Sequence, residues 1–354
     1  MHGSAPDSAD SAPDSTDISL QACPFAKPEE SHHRKKPMSS LFSTTSSHRK
    51  ARKMLTTFFA VLFVFISKPA WPASAEVVAT GLRFPEGTIF VGSTLYFVDY
   101  AASSVFRLED GHVQSVWHKD NCGANGLVQI DEGLLVACYD AGSVIRIGLD
   151  GTTIASISRD DSGEPFINPN DLVKDAKGGV YFTASGETAS KSGKVYYLLP
   201  GGAPHRVATD IDYANGVAVS ADGRHLYVGE SGADRILAFD ILADGTLGSR
   251  RIFLDLNVAL AGNPGDRHTP DGIRTDKHGR IFVSLYRGGG CAIFDDGGKL
   301  ISQIALPGQH HANLSISPDE KFIFGTISYD SPLSGQSGGL YRVPNPVLGM
   351  TTPR

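Results

Sequence analysis

"NPNDLVKDAKGGVYFTAS", residues 168–185, places two short polar side chains, Asn170 and Asp171, ahead of an alternating segment, then a Lys-Gly-Gly turn, then an apolar aromatic run. The phrase returns as "ANGVAVSADGRHLYVGES" at 214–231 and "PDGIRTDKHGRIFVSLY" at 270–286. Aligned on the leading polar residue, six phrases begin at Glu86-Gly87, Asn125-Gly126, Asn170-Asp171, Asn215-Gly216, Asp271-Gly272 and Asn313-Leu314. Their intervals are 39, 45, 45, 56 and 42 residues. Each continues through a turn into an apolar strand such as "TLYFVDY", "LLVACYD" or "KFIFGTI", and most reach a third, such as "SVFRLED" or "RILAFDI". Short strands repeating every 40 to 50 residues or so are what propeller blades look like in sequence. The expected fold is all-β, a six-bladed β-propeller.

A ring needs its ends joined, because an open sheet edge exposes unpaired backbone. Blade six stops at "GLYRVPNP", one strand short, while "EVVATGL" (Glu76–Leu82) precedes blade one without a partner. The N-terminal strand is therefore expected to complete the last blade. "LNVALAGNPGDRH" and "SYDSPLSGQSGG" read as surface loops.

The first 75 residues read differently. Residues 1–53 are rich in Ser, Asp, Pro, His and Lys, too poor in large apolar side chains to offset the entropy of ordering, and read as a disordered extension that need not belong to the native product. Residues 54–75 have the form of a signal peptide: a basic flank before Met54, an apolar run from Leu55 to Ile66, and the small residues Ala73, Ser74 and Ala75. That run is shorter than the roughly 20 residues of a spanning helix. Cleavage after Ala75 would release residues 76–354 as a secreted or periplasmic domain with no stable membrane insertion. The net charge of −6 includes the basic leader, which argues against nucleic acid as a partner. Oligomeric state is not legible. Cys122, Cys138 and Cys291 show no Cys-x-x-Cys pairing, and Cys122 with Cys138 could form a disulfide in an oxidising compartment.

In a propeller the innermost strands line a central channel, so Glu86, Asn125, Asn170, Asn215, Asp271 and Asn313 converge on one mouth. Carboxylate and amide oxygens suit a hard cation, and Ca2+ takes 6 to 8 oxygen ligands. No His or Cys occupies a leading position, which disfavours zinc and copper. Taken singly, each pair is a common turn dipeptide, since Asn, Asp and Gly tolerate left-handed dihedrals. Six in register favour a site.

"FPEGTIFVGSTLYFVDY", "NPNDLVKDAKGGVYFTAS", "ANGVAVSADGRHLYVGES" and "PDGIRTDKHGRIFVSLYRGGG" resemble the blade openings of the SMP-30/gluconolactonase/luciferin-regenerating-enzyme family, six-bladed propellers that include calcium-dependent lactonases. The resemblance covers residues 80–345. It implies Glu86, Asn215 and Asp271 as metal ligands, with Asn170 contacting metal or substrate and Asn125 and Asn313 lining the pocket. It implies Ca2+, with Zn2+, Mn2+ or Mg2+ as other divalent candidates. Its implied activity is hydrolysis of a small-molecule lactone or ester, gluconolactonase-like. The cation would polarise the carbonyl, while Asp271, or His310 or His311 in "GQHHANLSIS", would accept the proton of the attacking water. Many sugar lactonases of the family carry an Arg near the blade-three Asn; this chain has Ile167, Asn168 and Pro169 there. A binding propeller with a structural metal, a metal-dependent phosphotriesterase and a lyase on the same scaffold are the alternatives. No Gly-x-Ser-x-Gly elbow occurs.

Overall fold

The computed structural model of the chain describes residues 75–131, 133–260, 266–329 and 338–350. The extension, the signal segment as far as residue 74, and parts of both long loops (261–265 and 330–337) lie outside the described residues.

Six antiparallel four-stranded sheets form the blades. Their first strands are Pro85–Val91, Ala124–Ile130, Pro169–Lys174, Ala214–Val219, Pro270–Thr275 and His310–Ile316. Each contacts the first strands of its two neighbours, from blade one round to blade six and back, so these six are innermost. In the sixth sheet Glu76–Leu82 lies antiparallel to Gly338–Pro344, with Glu76 opposite Arg342 and Leu82 opposite Gly338. The Leu256–Ala259 helix opens the long insert before blade five, and the Asp255 side chain caps it by accepting from the Val258 N–H.

The core is distributed around the ring, with one apolar cluster at each junction between neighbouring blades. At the first junction Tyr96, Val98, Val105 and Trp117 of blade one meet Leu127, Leu134, Val136 and Ile147 of blade two. Corresponding clusters sit at the other five junctions. Each fully buried aliphatic or aromatic side chain stabilises by about 1.5–3 kcal/mol, so the junctions hold neighbouring blades together. Cys122 and Cys138 are joined in a disulfide at the entrance to blade two, and Cys291 is a buried free thiol whose pKa burial pushes up to about 12.

Every innermost strand is bulged at the same place. Between Pro85, opposite Asp99, and Thr88, opposite Phe97, blade one's inner strand holds one residue more than its partner. The same single extra residue interrupts blades two to five between Ala124 and Leu127, Pro169 and Leu172, Ala214 and Val217, and Pro270 and Ile273. A bulge re-aims the side chains it carries, and here it acts on the leading polar pair of each phrase.

In blade six the bulge falls between His311 and Asn313, which shifts the sequence alignment by one. Asn313 makes the contacts that Asp171 makes in blade three. The Asn313 N–H donates to Thr326 Oγ1 (2.9 Å), and the Leu314 N–H to Asn313 Oδ1 (2.9 Å). In blade three the Asp171 N–H donates to Thr183 Oγ1 (3.1 Å), and the Leu172 N–H to Asp171 Oδ1 (2.9 Å). The leading position of blade six is therefore Ala312, and Asn313 occupies the second position.

Candidate metal and active site at the channel mouth

The second position explains the recurrent glycine. A Cβ on Gly87 would lie 2.6 Å from the Asn125 carbonyl oxygen, and one on Gly126 or Gly216 would overlap the carbonyl of Asn170 or Asp271 in the next blade. A Cβ on Gly272 would lie 2.5 Å from Asn313 Cγ. None of these four glycines has a positive φ, so close approach of neighbouring inner strands, not turn geometry, is what demands them.

This crowding brings the leading side chains together and buries them. Glu86, Asn125, Asn170, Asn215 and Asp271 are each at most 8% exposed. The entrances are anchored from the second strands: Asp99 accepts from the N–H groups of Arg83 (2.7 Å) and Phe84 (3.0 Å), and Glu230 Oε1 from that of Asp212 (2.9 Å). Asn170 Nδ2 donates to Ser185 Oγ (3.1 Å), which itself donates to the Ala214 carbonyl (2.9 Å), so the Asn170 amide is turned with Oδ1 away from Ser185. The Asn215 side chain hydrogen-bonds the Asp271 carboxylate.

Two buried oxygens of this group have no hydrogen-bond partner, Glu86 Oε2 and Asn215 Oδ1. Buried polar atoms are nearly always satisfied, and these two orphaned acceptors lie on opposite sides of one channel. Electrostatics agree. Burial raises the Glu86 carboxyl well above the usual range, and the Asp271 and Asp171 charges raise it further; Asp271 is raised by burial and by Asp171, against the bond from Asn215. Among the described residues no group of three or more His, Cys, Asp or Glu side chains is arranged to hold a metal ion. The donor set instead comprises two carboxylates, Glu86 and Asp271, supplemented by the amide oxygens of Asn215 and Asn170. That composition fits a hard divalent cation.

The two histidines are placed differently. His311 is buried, its Nδ1 accepts from the Gly290 N–H (2.8 Å), and Nε2 faces the carbonyls of Leu306 (3.3 Å) and Pro307 (3.2 Å). Those partners fix a neutral ring with the proton on Nε2, and burial lowers its pKa. The ring is spent on joining blade six to blade five. His310 stands at the mouth, its Nδ1 directed at the Tyr286 carbonyl (3.0 Å) and its ring stacked on Tyr286 with centroids 4.3 Å apart.

Sequence reasoning missed the aromatic rim and one arginine. Tyr139 and Tyr213 share a hydroxyl–hydroxyl hydrogen bond (2.9 Å) that links blade two to blade four across the entrance of blade three. Asn168, at φ 55°, donates to the Tyr139 carbonyl (3.3 Å), and Ile167 beside it is 37% exposed. Phe84, Tyr100 and Tyr139 follow one another edge to face. Arg274, three residues beyond Asp271, reaches Asp171 and Asn313; its signal was a charged residue in an otherwise buried inner strand. A hollow between blades two and three, lined by Ile130, Val144, Val180 and Leu198, holds none of the donors.

The family model of the SMP-30/Gluconolactonase/LRE-like region matches residues 84–317. The chain belongs to this family. A relative named lactonase drp35, from Staphylococcus saprophyticus, is 30% identical over 246 residues, covering 66% of this chain and 70% of its own. Its Staphylococcus aureus counterpart is 28% identical over 265 residues, 71% of this chain and 78% of that one. Among solved structures, a gluconolactonase from Xanthomonas campestris superposes with a TM-score of 0.61 at 25% identity, over 79% of this chain and 98% of that one. Regucalcin from Agrobacterium tumefaciens, described as a calcium-binding protein, superposes with a TM-score of 0.64 at 20% identity over 77% and 94%, a likeness of fold.

Proposed function

We propose that this family member is a lactone hydrolase dependent on a divalent cation, Ca2+ before Mg2+, Mn2+ or Zn2+, held by Glu86, Asn215, Asp271 and Asn170. The observation that carries the reading is the pair of orphaned buried oxygens, Glu86 Oε2 and Asn215 Oδ1, beside the buried Asp271 carboxylate. The relatives named lactonase and gluconolactonase support the reaction class. Bound there, the cation would supply Lewis acidity to the lactone carbonyl.

The protein's own groups supply the rest. Asp271, its carboxylate oriented by the Asn215 amide, accepts a proton from water as the water oxygen bonds to the carbonyl carbon. Cleavage of the ring C–O bond then returns that proton to the alkoxide, so lactone and water give a hydroxy acid. His311 has no part, its nitrogens being committed to backbone. Tyr139, Tyr213 and Ile167 favour a lactone with an apolar or aromatic face over a polyhydroxylated sugar, because they bring ring and aliphatic surface to the blade-three entrance.

The Cys122–Cys138 disulfide supports an oxidising compartment, in keeping with secretion of residues 76–354. The test is hydrolysis of a panel of aliphatic, aromatic and sugar lactones, followed by acid release, with and without a calcium chelator. Turnover that is abolished by chelator and restored by calcium supports the reading. A chelator-insensitive rate, or a cation that raises the melting temperature without any turnover, overturns it in favour of a structural ion.

A further inference from the structure

Four of the six second positions are glycine, and the two that are not, Asp171 in blade three and Asn313 in blade six, face each other across the diameter of a six-bladed ring. Arg274 of blade five joins them. Its Nη1 donates to Asp171 Oδ2 (2.9 Å) and to the Ile273 carbonyl (2.7 Å), and its Nη2 to Asn313 Oδ1 (2.8 Å) and toward the Thr88 carbonyl of blade one (3.5 Å). One guanidinium therefore ties four blades, and it does so in a buried setting, with Asp171 only 1% and Arg274 17% exposed on their side chains. The rigid fork of an arginine serves two acceptors at once; an ammonium would not span them with the same geometry.

The arrangement also governs charge. Three acids, Glu86, Asp171 and Asp271, are buried at this mouth. Arg274 pairs with Asp171 and engages Asn313, while Glu86 and Asp271 have no ion-pair partner among the described residues, the two charges that a divalent cation would balance. We propose that Arg274 is a positioning residue that floors the cation well and sets its charge at minus two, withdrawing Asp171 and Asn313 from the ligand set. The inference rests on the metal-site reading above.

Calcium titration calorimetry and thermal melting in chelator, on the full chain, test it with Arg274→Met, Asp171→Asn and the double variant. Arg274→Met removes a nearby positive charge and frees Asp171, so calcium affinity rises on the order of tenfold or more. Cation-free melting falls on the order of 10 °C, because a buried carboxylate loses its partner. Asp171→Asn alone acts in the opposite sense and weakens calcium binding on the order of tenfold, since Arg274 is left uncompensated. The double variant returns toward wild type in both readouts. If wild type binds calcium and neither single variant changes its affinity, the proposal is overturned while the metal site stands. If wild type binds no calcium, the metal reading itself is overturned and the charge-setting role with it. Should Arg274→Met fail to fold, Asp171→Asn decides alone, and an unchanged affinity in that variant sinks the proposal.

Discussion

A Cβ on Gly216 would overlap the carbonyl oxygen of Asp271, so these two residues of adjacent blades are packed at a distance only glycine allows. The contact sets how far apart the Asn215 and Asp271 side chains stand. Gly216→Ala must push blade five away from blade four at the channel, at a cost of about 3 kcal/mol. The urea midpoint should drop accordingly and calcium affinity should fall with it; a variant with wild-type stability would refute the packing argument.

Glu86 carries a stability cost in the cation-free protein. Its ionised form is disfavoured by burial and by Asp271 and Asp171, so in cation-free protein at neutral pH the charge destabilises the fold. Glu86→Gln is expected to raise the melting temperature in chelator by a few degrees while eliminating turnover and calcium binding. Calorimetry in chelator checks the first effect, and a lower melting temperature would contradict it.

The raised carboxyls also fix the sign of the pH dependence. A carboxyl whose folded pKa exceeds its unfolded value of about 4 adds no penalty below that value and its full penalty above the folded pKa. Cation-free stability should therefore decline as pH rises through the raised range of Glu86 and Asp271. Calcium must displace those protons, so its apparent affinity should climb over the same range and then level off. Titrations from about pH 5 to pH 9 would show this; affinity independent of pH would mean that neither carboxyl binds the ion.

His311 separates a fold role from a catalytic one. Replacing it with alanine leaves the Gly290 N–H without its acceptor and the Leu306 and Pro307 carbonyls without their donor, a loss of about 2–3 kcal/mol. Because its folded pKa is depressed, the stability it contributes is present above about pH 6.5 and is lost as pH falls below that. Folded His311→Ala at low temperature should keep most of the wild-type kcat. A loss in kcat comparable to that of Asp271→Ala would restore His311 as a catalytic group.

The inner and middle strands were legible because they are buried and bounded by turn dipeptides, and the polar leads of blades one to five fell in register by sequence alone. The outer strands were harder. His112–His118 and Thr153–Ile157 face solvent along most of their length and carry no apolar alternation, so nothing in their composition separates strand from loop. Blade six was misaligned by one residue because Ala312 and Asn313 lack the Asn-Gly mark, and only the pairing with Thr326 reveals which of them takes the lead. Arg274 and the Tyr139–Tyr213 bridge were invisible for another reason. Both join blades distant in sequence, and no local pattern encodes a partner 103 or 74 residues away.

The common bulge has an evolutionary consequence. Since the backbone, not the side chain, decides where each leading residue points, the five polar leads and Ala312 behave as interchangeable sockets on a fixed frame. Exchanging one lead for another donor would change the set of groups at the mouth while the junction cores stay as they are. Ala312 is the one lead of the six that brings no polar side chain to the mouth.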